Sequence, residues 1–200
     1  MKIRLLLICC LLFISSSFAS YYMLGMRNSK YAYAAYENTR HWGVALENSI
    51  FVEEVELQYA SAAAFYTFYL NFGLEGAYTL YYGRRYNGDF YDVGAMLMLN
   101  YNIVGRLLQI GGTFQPFYDS DLKSKNAYNA WVQTIPLDEV GLFLGIKNQA
   151  EYRDLERRAY VGVVFDLPHI VLKPEVSTPL EKGCKSTTRI TVNFIYRNSL

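Results

Sequence analysis

The sequence predicts an all-β protein, a closed antiparallel up-and-down transmembrane β-barrel of about ten strands, within a range of roughly 8 to 12. Three observations lead to this prediction. Apolar residues recur at every second position over most of the chain, short and long connections alternate between these stretches, and charged residues concentrate on the face opposite the apolar one.

The clearest alternation lies in residues 90–118. From Tyr91 to Tyr101 every second residue is apolar or aromatic, whereas the intervening positions hold small, polar or mixed side chains. After a short turn the pattern resumes between Leu108 and Tyr118. A period of two indicates β-strands, and the short turn makes them a hairpin. Each strand has about the 9–11 residues that a tilted strand needs to cross a membrane.

The same pattern defines a barrel domain at residues 41–200. Residues 20–40 are rich in Tyr, Ala and Asn but weakly patterned, so they are expected to be an N-terminal leader or an extra strand. Within the barrel domain, alternation marks further strands near residues 41–47, 54–70 (with a bulge expected at 60–62), 74–82, 128–132, 140–146, 159–167, 170–176 and 188–196.

The connections fall into two classes that alternate along the chain. Short turns are expected at residues 70–73, 102–105, 135–137 and 168–169, and longer polar loops at 48–53, 84–89, 119–126, 148–157 and 178–187. Membrane barrels of bacteria have short turns on the periplasmic side and longer loops outside, whereas a soluble sandwich has no reason to sort its loops in this way.

Composition agrees with a membrane barrel. Only 18% of the residues are charged and the net charge is +1, so no strongly basic surface for nucleic acid is expected. In such a barrel the apolar face contacts lipid and the polar face lines the lumen. The candidate lumenal charges are Glu54, Glu56, Glu75, Asp92, Glu139, Lys147 and Arg189. The candidate lipid-facing residues are Leu97, Leu144, Val163, Phe194 and Tyr196.

A barrel of about ten strands is only a little wider than one filled by its own side chains. Charges of both signs, together with bulky residues such as Met96, Phe143 and Tyr160, would occupy that space. The sequence therefore predicts a largely filled lumen that forms no large stable pore and passes small solutes slowly at most.

Residues 1–19 have the form of a signal peptide. A basic start precedes an apolar run, and Ser17-Phe18-Ala19 matches a cleavage site, so cleavage is expected near Ala19. Mass spectrometry of the mature N-terminus tests this; a lipid-modified start at Cys9 or Cys10 would contradict it. Removal of the segment leaves Cys184 as the one cysteine, so no internal disulfide, metal site or cofactor site is predicted.

The last predicted strand carries a further pattern in Arg189, Thr191, Phe194 and Tyr196. This pattern resembles the final strand of small outer-membrane β-barrel proteins of Gram-negative bacteria, which has a polar residue, a glycine and then spaced hydrophobic or aromatic residues. Thr191 stands in place of the glycine, and residues 197–200 follow the final aromatic. The resemblance covers residues 41–200 and implies an outer-membrane location and recognition by the outer-membrane assembly machinery.

These features favour a non-enzymatic, porin-like barrel of the cell envelope with a structural or surface-presenting role. One alternative is a soluble periplasmic or secreted barrel that binds an apolar ligand inside. A less favoured one is an outer-membrane lipid-modifying enzyme, since neither His41 nor His169 has a serine two residues on. The expected partners are outer-membrane lipids, and lipopolysaccharide phosphates would be bound by Arg84, Arg85, Arg157 and Arg158.

Overall fold

The protein, described by a computed structural model, is defined at residues 21–27, 31–49, 58–86, 90–105, 107–121, 123–137, 139–148, 155–181 and 188–199. These residues form twelve strands: β1 (Tyr21–Arg27), β2 (Tyr31–Glu37), β3 (Trp42–Ser49), β4 (Tyr59–Leu70), β5 (Leu74–Arg85), β6 (Tyr91–Val104), β7 (Leu108–Asp119), β8 (Lys123–Leu137), β9 (Val140–Lys147), β10 (Arg158–Asp166), β11 (Ile170–Pro179) and β12 (Arg189–Ser199). A short 3₁₀ turn at Asn71–Gly73 joins β4 to β5.

The twelve strands form one closed antiparallel barrel. Each strand pairs with the next along the chain, and β1 pairs with β12 from Tyr21↔Ser199 to Met26↔Phe194. Closure leaves no open sheet edge, so the strand backbone can be hydrogen-bonded within the protein. The predicted closed up-and-down barrel is confirmed, but the predicted number of about ten strands is too low.

The two additional strands are β1 and β2, in the segment that the sequence left as a leader or an extra strand. In β2 the inward set includes Tyr31 and Ala35, and the outward set includes Ala32 and Tyr36, so both faces carry Tyr and Ala. Alternation reveals a strand only where the two faces differ in polarity. The ten strands that the sequence did predict correspond to β3–β12.

The outer surface of the barrel is apolar. Leu80, Leu144 and Val161 are 67%, 58% and 55% exposed, and all lie on the outward set of their strands. The predicted lipid-facing residues Leu97, Leu144, Val163, Phe194 and Tyr196 all lie on this outer face. No helix among the described residues is long and apolar enough to cross a membrane.

Aromatic pairs lie near both ends of the outer surface. Trp42 packs on Tyr66 with ring centroids 5.0 Å apart near the short turns, and Tyr91 packs on Tyr118 at 6.3 Å near the longer loops. Such rings suit the two membrane interfaces. Tyr59 would also suit a girdle from its sequence, but it is buried on the inner face.

One of the predicted long loops is mostly strand. β7 ends at Asp119 and β8 begins at Lys123, so the predicted loop 119–126 shortens to residues 120–122. Ser124, Lys125 and Asn126 are exposed although they lie in β8. A strand that continues beyond the apolar zone needs no apolar face, and its polar residues therefore resemble a loop in sequence.

Candidate functional site: the barrel lumen

The lumen holds the polar and charged residues of the alternating strands. Of the predicted lumenal charges, Glu75, Asp92 and Lys147 point inward and Glu139 is exposed at the β8–β9 turn. Glu54 and Glu56 lie outside the described residues, and Arg189 pairs through its backbone with the inward-facing position of Ser177.

Aromatic rings of the lumen lie against the wall because they cover glycines on the neighbouring strand. A Cβ atom added to Gly94 would lie 2.7 Å from Cε1 of Tyr81, its cross-strand partner. Glycine alone leaves room for a ring to lie flat on the backbone. The other inward pairs that face each other in register are Gly25 with Tyr33, Gly43 with Phe65, Gly111 with Trp131, Gly145 with Tyr160 and Gly162 with Phe143.

Two residues that the sequence predicts to fill the lumen lie against its wall. Phe143 and Tyr160 were expected to fill the interior of a ten-stranded barrel. Their rings instead lie over Gly162 and Gly145 on adjacent strands, in a barrel of twelve strands. More strands give a wider interior, and rings that lie along the wall occupy less of it.

One side of the lumen carries a packed apolar cluster. It consists of Ile135, Phe143, Tyr160, Val164 and Val171, with Trp131 and Ile195 packed against it. Its members come from β8–β12, and no other hydrophobic core cluster is seen among the described residues. Because these apolar side chains pack against one another, they fill the space next to the wall on this side of the lumen.

Two lysines cross this cluster. Lys147 on β9 reaches over the Tyr160 ring, 4.9 Å from its centroid, and its Nζ lies 2.5 Å from Oε1 of Glu175 on β11. Lys173 on β11 lies 5.8 Å over the Phe143 ring and donates to Oε1 of Gln133 on β8 at 3.1 Å. Each ammonium is therefore held by a ring face and by an oxygen acceptor.

Acidic groups prevail among the described inward residues of β2–β7. The Tyr59 hydroxyl donates to Oδ1 of Asp92 at 2.6 Å, and the Asn100 amide donates to Oε1 of Glu75 at 2.7 Å. Both carboxylates thus accept hydrogen bonds from neutral groups. Glu37, Glu47 and Asp119 lie on the same half of the barrel, and Arg85 is the described inward base there.

Both histidines lie at the short-turn end, as predicted, and His41 joins a polar group there. Its Nδ1 lies 3.2 Å from Oε1 of Glu37, which also accepts a hydrogen bond from the Thr67 hydroxyl. In a Ser-His-acid site the imidazole lies between hydroxyl and carboxylate. Here the carboxylate lies between the other two groups, so the arrangement does not activate the Thr67 hydroxyl.

The four arginines predicted to contact lipid phosphate divide into two pairs. Arg84 and Arg157 are exposed. Arg85 and Arg158 are buried on the lumen side, and Arg158 donates to the backbone oxygen of Ser177 at 3.0 Å. Lipid contact does not fit Arg85 and Arg158, because each occupies an inward position at the end of its strand.

Sequence reasoning missed several lumen residues, among them Glu37, Tyr59 and Glu175. The parity of β11, which places Lys173 opposite its apolar face, places Glu175 inward as well, and Val171 and Ser177 on the same face are also buried. The contact of Glu175 with β9 passes over one strand and that of Lys173 with β8 passes over two, and no alternation within one strand reports such a contact.

Glu175→Gln should destabilise the folded barrel by about 1–3 kcal/mol, because the partly buried Lys147 ammonium loses its charged partner. Urea titration in lipid vesicles measures this change. Glu181→Gln is the control, since the Arg157–Glu181 pair has side chains 63% and 45% exposed and should contribute nothing measurable. The hydrogen bond that Arg157 donates to Glu181 raises the pKa of the Arg157 guanidinium, so the arginine stays charged across the range of the experiment. Equal effects of the two substitutions would contradict the buried position of Glu175.

Comparison with known proteins gives similarity in structure only. No family model matches the chain, and no curated protein matches it. Among solved structures, the chain is similar to the KdgM porin (11% identity, TM-score 0.63) over 89% of this chain and 98% of that one. The KdgM porin in complex with disordered oligogalacturonate gives a TM-score of 0.62 with the same identity and coverage. The NanC porin gives 11% identity and a TM-score of 0.58 over 90% of this chain and 100% of that one.

The chain therefore has a porin-like fold, that of small outer-membrane β-barrels of Gram-negative bacteria. This confirms the barrel fold that the alternation and the last strand predicted. At 11% identity, the similarity establishes the fold and leaves the transported or bound molecule to be argued from the lumen itself.

Proposed function

We propose that this protein is a non-enzymatic outer-membrane channel for small hydrophilic solutes. The observation that carries the proposal is the stacking of inward aromatic rings on glycines of the neighbouring strands. A ring that lies along the wall leaves space beside it, and twelve strands enclose more space than the ten that the sequence predicted.

The chemistry of the lumen supports polar solutes. Carboxylates, lysines and amides line it. Three of the amides are joined by hydrogen bonds: Gln133 donates to Gln109 at 3.0 Å, and Gln109 donates to Asn102 at 2.6 Å. Hydrogen-bonding groups and charges of both signs favour hydrated molecules over apolar ligands. The alternative of a soluble barrel with an apolar ligand fits less well, because the large apolar residues lie mainly on the outer face.

Location and partners belong to the same proposal. The chain would be exported by residues 1–19, inserted by the outer-membrane assembly machinery and surrounded by outer-membrane lipid. Arg84 and Arg157 would meet lipopolysaccharide phosphates at the long-loop end, since both are exposed there. Fractionation of cells that express the full chain tests the location; recovery in the soluble fraction would contradict it.

Solute uptake by proteoliposomes tests the channel. Vesicles containing the purified protein should swell faster than empty vesicles in small sugars, with a steep decline as the solute becomes larger. The controls are empty vesicles and vesicles with heat-denatured protein. Swelling no faster than in these controls would contradict the channel function and favour a structural or surface-presenting role.

A further inference from the structure

Gly76 and Gly112 both lie on the outer face of the barrel, but a ring covers only the first of them. Gly76 on β5 pairs in register with Phe68 on β4, and the Phe68 ring lies over it. A Cβ atom added to Gly112 on β7 would instead meet only backbone, the carbonyl oxygen of Asn129 at 3.0 Å and Cα of Ala130 at 4.0 Å. The backbone at Gly112 is therefore bare on the side that faces the membrane.

This bare backbone is the floor of a groove with a volume of about 440 Å³. Its walls are outward side chains of β6 and β7: Leu97 and Phe114 at one end, Leu99 beside the floor, and Tyr101 and Ile110 at the other end. Leu97 and Tyr101 are four residues apart on β6, so the groove is about 13 Å long at the usual strand rise of about 3.3 Å per residue. The groove is thus apolar and elongated along the strands.

The groove spans one half of the membrane. Leu97 lies at the centre of β6, whereas Tyr101 pairs with Leu74, the first residue of β5, beside the short β4–β5 turn. Short turns lie on the periplasmic side of such barrels, and tyrosine suits the membrane interface. The groove therefore runs from the bilayer centre to the periplasmic interface, which is the depth that one lipid acyl chain occupies.

The shape and chemistry of the groove select what fills it. Water would find few hydrogen-bond partners among these side chains, and an empty groove would lose the dispersion contacts of its lining. A second barrel fits poorly, because its outer surface is convex and the floor lies below the side chains of Leu99 and Phe114. An acyl chain is narrow and apolar, and the outer face that surrounds the groove already contacts lipid.

We infer that the groove binds one acyl chain of a glycerophospholipid in the periplasmic leaflet of the outer membrane. Lipid tails are as apolar as leucine, so binding in the groove is favoured by closer van der Waals packing rather than by the hydrophobic effect. The site lies on the outer face and does not depend on whether the lumen conducts.

Photolabelling in vesicles tests this site. The probe is phosphatidylethanolamine with a diazirine at the end of one acyl chain, diluted into phosphatidylethanolamine and phosphatidylglycerol. After illumination, mass spectrometry compares the labelling of tryptic peptide 107–123, which carries β7, with that of peptide 159–182, which carries β10 and β11. Gly112→Phe closes the groove with a ring. Ala62→Phe is the matched control, since Ala62 is exposed on the outward set of β4, away from the groove.

The labelling ratio of peptide 107–123 to peptide 159–182 should fall roughly threefold or more in Gly112→Phe, because the acyl chain loses its packing contacts with the groove. Ala62→Phe should leave the ratio unchanged. If Gly112→Phe does not fold, Ile110→Trp replaces it and narrows the groove from one side. A second probe, with the diazirine next to the ester, should label peptide 107–123 toward Ile110.

An equal labelling ratio in Gly112→Phe and the unsubstituted protein would overturn the site. Labelling by the second probe toward Tyr118 would place the lipid in the other leaflet and overturn the assignment to the periplasmic one. A dimer, measured by light scattering in detergent and abolished by Gly112→Phe, would assign the groove to a second copy of the chain instead.

Discussion

Leu97→Arg is expected to destabilise the folded barrel in lipid by about 2–4 kcal/mol, as charges do near the bilayer midplane. Leu97 lies at the centre of β6 and on its outward set, where it pairs with Tyr78 and Phe114. An arginine at this position would place a guanidinium against acyl chains. The free energy of unfolding, measured by denaturant titration in vesicles, reports the change.

Met96→Arg is the matched control. Met96 precedes Leu97 on the same strand and points into the lumen, where water and carboxylates can accept a charge. Met96→Arg should lower the free energy of unfolding clearly less than Leu97→Arg does. Equal tolerance at the two positions would contradict the assignment of inner and outer faces, and a greater cost at Met96 would reverse it.

Phe143→Ala should lower the free energy of unfolding of the barrel by about 3–5 kcal/mol, the usual range for removal of a buried aromatic side chain. Phe143 is 6% exposed and belongs to the lumenal cluster. Its ring covers Gly162, and the Lys173 ammonium lies over the ring. The substitution leaves a cavity in the cluster and uncovers the glycine backbone. From the sequence alone, Phe143 would be taken for a tolerant lumen position; its burial makes it one of the least tolerant.

Phe114→Ala is the control for this prediction. Phe114 lies on the outward set of β7 and is 50% exposed, so lipid can occupy the space that its ring leaves. Phe114→Ala should lower the free energy of unfolding less than Phe143→Ala does in the same vesicles. A larger loss at Phe114 would mean that the apolar belt, rather than the lumenal cluster, holds the barrel together.

The sequence predicts the faces of strands well wherever the two faces differ in polarity. In β6 the apolar set from Tyr91 to Tyr101 faces outward and Asp92 faces inward, as alternation requires. In β1 and β2 both faces carry tyrosines and small or apolar residues, so the pattern has no contrast and the two strands are missed.

Alternation does not predict how the inward aromatic rings are arranged in the lumen. A ring at an inward position can project into the interior or lie on a glycine of the next strand, and only the register between strands decides which. Tyr160 opposite Gly145 and Phe143 opposite Gly162 are invisible until β9 and β10 are aligned. Arg85 and Arg158 also look like loop charges in sequence, although they occupy inward positions at strand ends.

Single-channel recording of the purified, refolded protein in a planar bilayer tests the channel most directly. A twelve-stranded barrel whose rings lie along the wall should give discrete, steady conductance steps of uniform size. Silence, or small irregular currents without a defined step, would contradict an open lumen and restore the filled barrel that the sequence alone predicts.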